Sequence, residues 1–98
     1  MKQNLLTLTA ILQTKEPLRY SPAGIPILNC RLAHQSEQIE GGIARRVNCE
    51  IPAVAIGEVA KSLAAKEPET EWQFSGFLAT KRRYEIAELH VVEFTELI

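Results

Sequence analysis

The sequence predicts a small all-β barrel of five strands, with one short helix between strands 3 and 4. Apolar and polar residues alternate at period two in several segments, and prolines and glycines separate these segments. An apolar spacing of three and four residues, typical of a helix, occurs in one place. The chain has 98 residues, 46% hydrophobic and 23% charged, which is the composition of an ordinary globular protein. We therefore expect a single domain over residues 1–98.

Alternation predicts the first three strands over residues 5–12, 25–34 and 45–51. In the third strand, Cys49 is expected to face the interior, and Arg46 and Asn48 are expected to face outward. Pro52 is expected to end this strand, because proline has no N–H to donate to a ladder.

The pattern changes after Pro52. Residues 53–66 carry apolar side chains at helical spacing, and two further strands are predicted over residues 72–80 and 84–97. Gly76, inside the fourth strand, indicates a bulge or a sharp bend. Trp72 is expected in the barrel core because it shares a face with Phe74.

Strands, helix and closing hairpin in this order are the parts of a five-stranded Greek-key barrel, the OB-fold. Such barrels bind oligonucleotides or oligosaccharides on one face and its flanking loops. Three basic clusters fall on these parts of the chain: Lys15 with Arg19, Arg45 with Arg46, and Lys81 with Arg82 and Arg83. We expect them to converge on one groove that binds an anionic polymer, although the net charge is −1.

Catalysis and metal binding find little support. The chain has no aspartate, no phosphate-binding P-loop, and only two histidines, His34 and His90. Cys30 and Cys49 lack the close spacing of a zinc site, so we expect no enzyme activity, metal or cofactor. No apolar run approaches the roughly 18 residues of a membrane span, and two unpaired cysteines indicate a reduced, cytoplasmic protein.

Several segments together resemble one known family. They are residues 19–26, 32–36, 49–52, 76–78 and 96–98. In this order and spacing they are similar to the primosomal replication protein N (PriB) family, homodimeric relatives of bacterial single-stranded-DNA-binding protein. The resemblance covers nearly the whole chain. It implies an OB-fold homodimer that binds single-stranded DNA during replication restart and acts with the PriA helicase and, in some bacteria, with DnaT.

The resemblance also implies where DNA is contacted. Its basic positions match Lys15 on the first loop, Arg45 before the third strand, and the loop of Lys81, Arg82 and Arg83. From the residues themselves, we add Arg46 and Asn48 on the outer face, and Tyr20 and Tyr84 as aromatics able to stack on bases. Four to six phosphate contacts would give a salt slope of about −3 to −4.

Two positions depart from the family pattern. Ile43 and Asn48 stand where PriB sequences have an aromatic residue and a tryptophan. Stacking contributes roughly 1–3 kcal/mol per base, so we expect weaker and more electrostatic DNA binding here.

Two other functions stay open from the sequence. The protein is either mainly a protein–protein adaptor in the primosome, with incidental nucleic-acid binding, or an OB domain for RNA or another anionic polymer. The missing aromatics favour the adaptor.

Overall fold

The computed structural model describes residues 1–83 and 85–97. Within them the chain forms six strands and one helix: β1 (Leu6–Lys15), β2 (Arg19–Tyr20), β3 (Pro26–Glu40), β4 (Ile43–Ile56), α1 (Glu58–Ala64), β5 (Thr70–Ala79) and β6 (Glu88–Thr95). The five long strands pair in the cyclic order β1, β3, β4, β6, β5 and so close a ring. Short β2 pairs with the first residues of β3. The predicted five-stranded barrel with one helix is confirmed.

The core lies inside this ring. Leucines at alternate positions of β1 and β3 point inward, because successive side chains of a strand face opposite sides. They pack with Phe74 of β5 and Leu89 of β6, and Ala60 and Leu63 of α1 close one end of the barrel. Leu12, Leu28 and Leu32 are fully buried there.

Strand β4 corrects two predictions. It continues through Pro52, which is in register with Arg31, and ends at Ile56. β4 pairs with β6 only over residues 53–55, so at Pro52 the strand has a ladder on one side, where proline is tolerated. The apolar run 53–56 is therefore strand and not helix, since periodicity alone cannot separate a short buried strand from a buried helix.

Gly57 separates β4 from α1. Its φ of 91° is in the left-handed region, which glycine adopts at no steric cost. The helix begins only at Glu58 and ends at Ala64, so it is half the predicted length.

The distal parts of β3 and β4 project from the ring as a hairpin. β3 pairs with β1 only as far as Ala33, and β4 pairs with β6 from Ala53 onward. Residues 34–50, here called the hairpin arm, thus form ladder pairs only with each other in the described part of the chain. A two-residue turn at Gly41 and Gly42, both with positive φ, closes the arm.

The arm explains why the strands predicted over 25–34 and 45–51 were too short. Both of its faces are largely exposed, so residues 35–44 lack the apolar alternation that marks a strand. Cys49 lies on the same sheet face as the core but beyond the end of the ring. It is therefore exposed, and the prediction of an inward Cys49 was wrong.

The irregularity predicted at Gly76 is present, but the extra residue of the bulge is Val92 of the partner strand β6 and not a residue of β5. The register between β5 and β6 shifts between Ser75 and Gly76, and Gly76 is buried against the backbone of His90. Trp72 is half-buried and packs edge-on against Phe94, with 5.3 Å between ring centroids, so it borders the core. β6 begins at Glu88, four residues later than predicted.

Candidate nucleic-acid interface

The strand register defines two different ends of the barrel. The start of β1 lies beside the end of β5, with Leu6 opposite Gly76, and β6 begins beside Ala53 of β4. The 80–87 loop between β5 and β6 therefore leaves the barrel at the same end as the hairpin arm. We call this the arm end; α1 lies at the opposite, helix end.

The arm carries two of the predicted DNA contacts on opposite faces. Arg46 and Asn48 lie on the outer face, opposite Glu37 and Gln35 respectively, which confirms the outward direction predicted for them. Arg45 lies on the other face, where its Nη1 is 2.5 Å from Oε1 of Glu40. Side chains of the arm line a surface depression of about 530 Å³: Gln38, Ile39, Glu40, Arg45, Arg46, Val47 and Asn48.

The basic loop at the arm end consists of Lys81, Arg82 and Arg83, all of them exposed. The N–H of Glu85 donates to the carbonyl of Arg82 (3.3 Å), so the segment turns back on itself. The predicted stacking residue Tyr84 lies outside the described residues.

Lys15 lies at the helix end, away from the other predicted cations. Its Nζ donates to the carbonyl oxygens of Ala64 and Lys66, the latter at 2.6 Å. Carbonyls at a helix C-terminus lack intrahelical partners and carry partial negative charge, so an ammonium group stabilises them. Tyr20 on β2 is also at this end, because β2 pairs with the start of β3. The expected convergence of all three basic clusters is therefore wrong: Lys15 lies at the helix end, whereas the arm and the 80–87 loop leave the barrel at the other end.

The outer face carries two further arginines: Arg19, which the sequence grouped with Lys15, and Arg31, which the sequence did not single out. Arg19 of β2 donates to Asn29 Oδ1 (3.1 Å), and Arg31 lies 3.3 Å from Glu50. By register they share a face with Arg46, and the row spans ten residues of β3, or about 33 Å. This row of arginines could have been predicted only from the pairing of the long hairpin, because that pairing aligns residues far apart in sequence.

Acidic residues interrupt this row. A surface cavity of about 630 Å³ lies beside it and includes Glu50 and Glu71 in its lining, with Gln35, Asn48 and His34. Glu37 stands opposite Arg46. The outer face is therefore mixed in charge, and the basic loop of the arm end is the most strongly positive predicted segment.

The described residues provide no metal centre, since no three His, Cys or Glu side chains among them lie close enough to hold an ion. Burial raises the pKa of the Cys30 thiol to about 11, which keeps it protonated and unreactive. Nor does the described part of the chain contain a helix long and apolar enough to span a membrane.

The chain is similar to known proteins that bind single strands. Residues 4–93 match a family described as "another single-strand binding protein family". The chain belongs to this single-strand binding protein family. This family is not known as a family of enzymes. The resemblance to PriB that the sequence segments indicate is confirmed by the curated relatives.

The curated relatives carry the name Replication restart protein PriB. The protein of Bordetella pertussis is 42% identical over 89 residues, which are 90% of this chain and 83% of the relative. The protein of Neisseria gonorrhoeae is 40% identical over 88 residues, covering 82% of this chain and 79% of the relative.

Solved structures of single-strand binding proteins confirm the OB-fold. PriB from Ralstonia solanacearum superposes with a TM-score of 0.89 at 35% identity, covering 97% of this chain and 98% of that one. The wild-type single-stranded DNA binding protein from Thermus aquaticus gives a TM-score of 0.77 at 21% identity and covers 98% of this chain and 50% of that one. The second likeness concerns the fold alone.

Proposed function

We propose that this protein binds single-stranded DNA at the arm end of its barrel and assists the restart of stalled replication forks. In this role it acts in the primosome with the PriA helicase and, where present, with DnaT. The observation that carries the proposal is the register of β4 with β6, because it brings the hairpin arm and the basic loop to one end of an OB barrel. Membership of the single-strand binding protein family and relatives named for replication restart support it.

The proposed mechanism is mainly electrostatic. Lys81, Arg82 and Arg83 of the loop and Arg46 of the arm neutralise phosphates and release counterions. Four such contacts at about −0.7 each give a salt slope of about −3. Arg45 adds a fifth contact once a phosphate displaces Glu40 from it.

Base stacking contributes less than in a typical single-strand binding surface. Ile43 and Asn48 stand at the arm positions where aromatics were expected, and Tyr20 lies at the helix end. Tyr84 is the proposed stacking residue beside the phosphate contacts. With one platform in place of several, little sequence preference is expected.

We also propose that the chain is a single domain that works in the cytoplasm as a homodimer. The edge of β1 supports the dimer. Residues 6–8 pair with β5 on one side, and no described strand pairs with them on the other. An unpaired edge presents N–H and C=O groups that a second strand satisfies.

A protein–protein adaptor with incidental DNA binding is the second candidate. The tip of the arm favours it, because Ile39 and Ile43 are 72% and 71% exposed there, beside charged residues. Exposed apolar side chains surrounded by charges are typical of a protein contact.

Titration of a fluorescent oligodeoxynucleotide, with and without purified PriA, separates the candidates. Direct binding by the protein alone supports the first, and binding only in the presence of the helicase supports the adaptor. The double variant Lys81→Glu/Arg82→Glu should reduce direct binding at least tenfold. Its matched control is Lys61→Glu/Lys66→Glu, which reverses two charges at the helix end and should bind like the unmodified protein.

A further inference from the structure

His34 lies where the hairpin arm leaves the barrel. The last register pair between β1 and β3 is Ile11 with Ala33, and His34 is the next residue of β3. Its Nδ1 is 2.6 Å from the carbonyl oxygen of Thr9. A carbonyl only accepts hydrogen bonds, so Nδ1 carries the proton and the imidazole continues the contact with β1 where the ladder stops.

This assignment sets the direction of a chain of hydrogen bonds along the arm. With Nδ1 protonated, Nε2 of the neutral ring accepts from the hydroxyl of Ser36 at 2.7 Å. The Ser36 oxygen in turn accepts from Nε2 of Gln38 at 3.0 Å. These three residues alternate along β3 and share one face, so the donors run in series from the arm to Thr9 of β1.

The arm has few other attachments to the barrel. Its ladder joins β3 only to β4, and both of its faces are mostly exposed. At its base, Glu50 accepts from Gln13 Nε2 at 3.5 Å and from Arg31 Nε of β3 at 3.3 Å, and both contacts are exposed. The bond of His34 Nδ1 to Thr9 is therefore the shortest described hydrogen bond between the arm and β1, and the bond to Ser36 fixes the orientation of the ring within the arm.

We propose that His34 is a positioning residue for single-strand binding, and this inference rests on the proposed function. By holding the arm at one angle to β1, His34 presents Arg46 and Asn48 at a constant separation from the basic loop. The ordering of the arm then occurs on folding instead of on binding, which raises affinity without any contact between His34 and DNA.

Three variants test the proposal. His34→Ala removes both hydrogen bonds, whereas His34→Gln keeps an N–H donor and a carbonyl acceptor at the end of the side chain. Cys49→Ala is the matched control, because Cys49 is the register partner of His34 and is exposed on the same face of the arm.

Two readouts are needed: backbone ¹⁵N order parameters of residues 36–47, and oligodeoxynucleotide affinity over a range of salt concentrations. For His34→Ala we expect order parameters to fall from about 0.85 toward 0.6. We also expect affinity to fall about three- to tenfold with an unchanged salt slope, since the phosphate contacts are the same. His34→Gln and Cys49→Ala should match the unmodified protein in both readouts.

Two results would overturn the inference while leaving the proposed function intact. One is an arm that stays ordered in His34→Ala, and the other is a loosened arm with undiminished affinity. If the unmodified protein itself fails to bind the oligonucleotide, both the proposed function and the positioning role are wrong, and the order parameters then report only on folding.

Discussion

At the tip of the hairpin arm, Arg45 and Glu40 form an ion pair, with 2.5 Å between Nη1 and Oε1. Both side chains are about two-thirds exposed, at 65% and 69%. An exposed pair of this kind contributes about 0–1 kcal/mol, so a phosphate group competes with the carboxylate for the arginine.

Removing the competing carboxylate should therefore strengthen DNA binding. We expect Glu40→Gln to raise oligonucleotide affinity about two- to fivefold and to steepen the salt slope from about −3 to about −3.5. Fluorescence anisotropy at several salt concentrations measures both. Glu58→Gln, which releases Lys61 on the helix, is the control, and equal effects of the two variants would contradict the role of Arg45.

Lys15 should act on stability and not on DNA affinity. Lys15→Met keeps most of the side-chain volume but leaves the carbonyls of Ala64 and Lys66 without their charged donor. We expect the free energy of unfolding in urea to fall by about 1.5–3 kcal/mol, with oligonucleotide affinity unchanged. If affinity fell while stability stayed the same, the DNA site would have to extend to the helix end.

A side chain at Gly76 should disrupt the pairing of β5 with β6. A Cβ there would lie 1.8 Å from the carbonyl oxygen of His90, which is backbone and cannot turn away. We expect Gly76→Ala to lower the free energy of unfolding by about 3 kcal/mol or more. The neighbouring Ser75→Ala should cost less than about 1 kcal/mol, and similar values for the two variants would contradict this packing.

The two cysteines should differ sharply in reactivity. Cys49 is exposed on the arm, whereas Cys30 is buried and its pKa is raised by burial to about 11. Near pH 8, a thiol reagent should modify one cysteine per folded chain rapidly, and the second only after unfolding. Peptide mapping that found Cys30 labelled first would contradict the described core.

The Cys30 thiol also predicts a pH dependence of stability. Its pKa rises from an ordinary 9.0 to about 11 on folding, so the folded state holds the proton more tightly. The contribution of the Cys30 thiol to the free energy of unfolding is fully present below pH 9. It is lost as the pH rises from 9 to 11, which lowers the free energy of unfolding by on the order of 2 kcal/mol. Cys30→Ala should show a shallower decline of unfolding free energy over this range, and identical slopes would contradict the shift.

Sequence reasoning worked where burial imposes a pattern. The inward leucines of β1 and β3 follow from alternation, and Gly76 signalled a bulge because a strand interior rarely contains glycine. The failures occurred where that pattern is absent. Both faces of the hairpin arm are largely exposed, and the short apolar run 53–56 fits a strand or a helix equally well.

The candidate site was predictable only in part for the same reason. Composition identified the basic segments, and alternation gave the outward direction of Arg46. The hydrogen bonds of Lys15 to the carbonyls of Ala64 and Lys66 could not be foreseen, because they depend on where the barrel places the end of α1. Likewise, the arginine row on the outer face depends on the register of a hairpin whose length the sequence underestimates.

The most direct test of DNA binding at the arm end is the salt dependence of single-strand affinity for the unmodified protein and for Lys81→Glu/Arg82→Glu. We predict a slope of about −3 for the unmodified protein and about −1.5 for the variant, since two of four phosphate contacts are removed. A flat dependence in both proteins, or the same slope in both, would contradict binding through the basic loop.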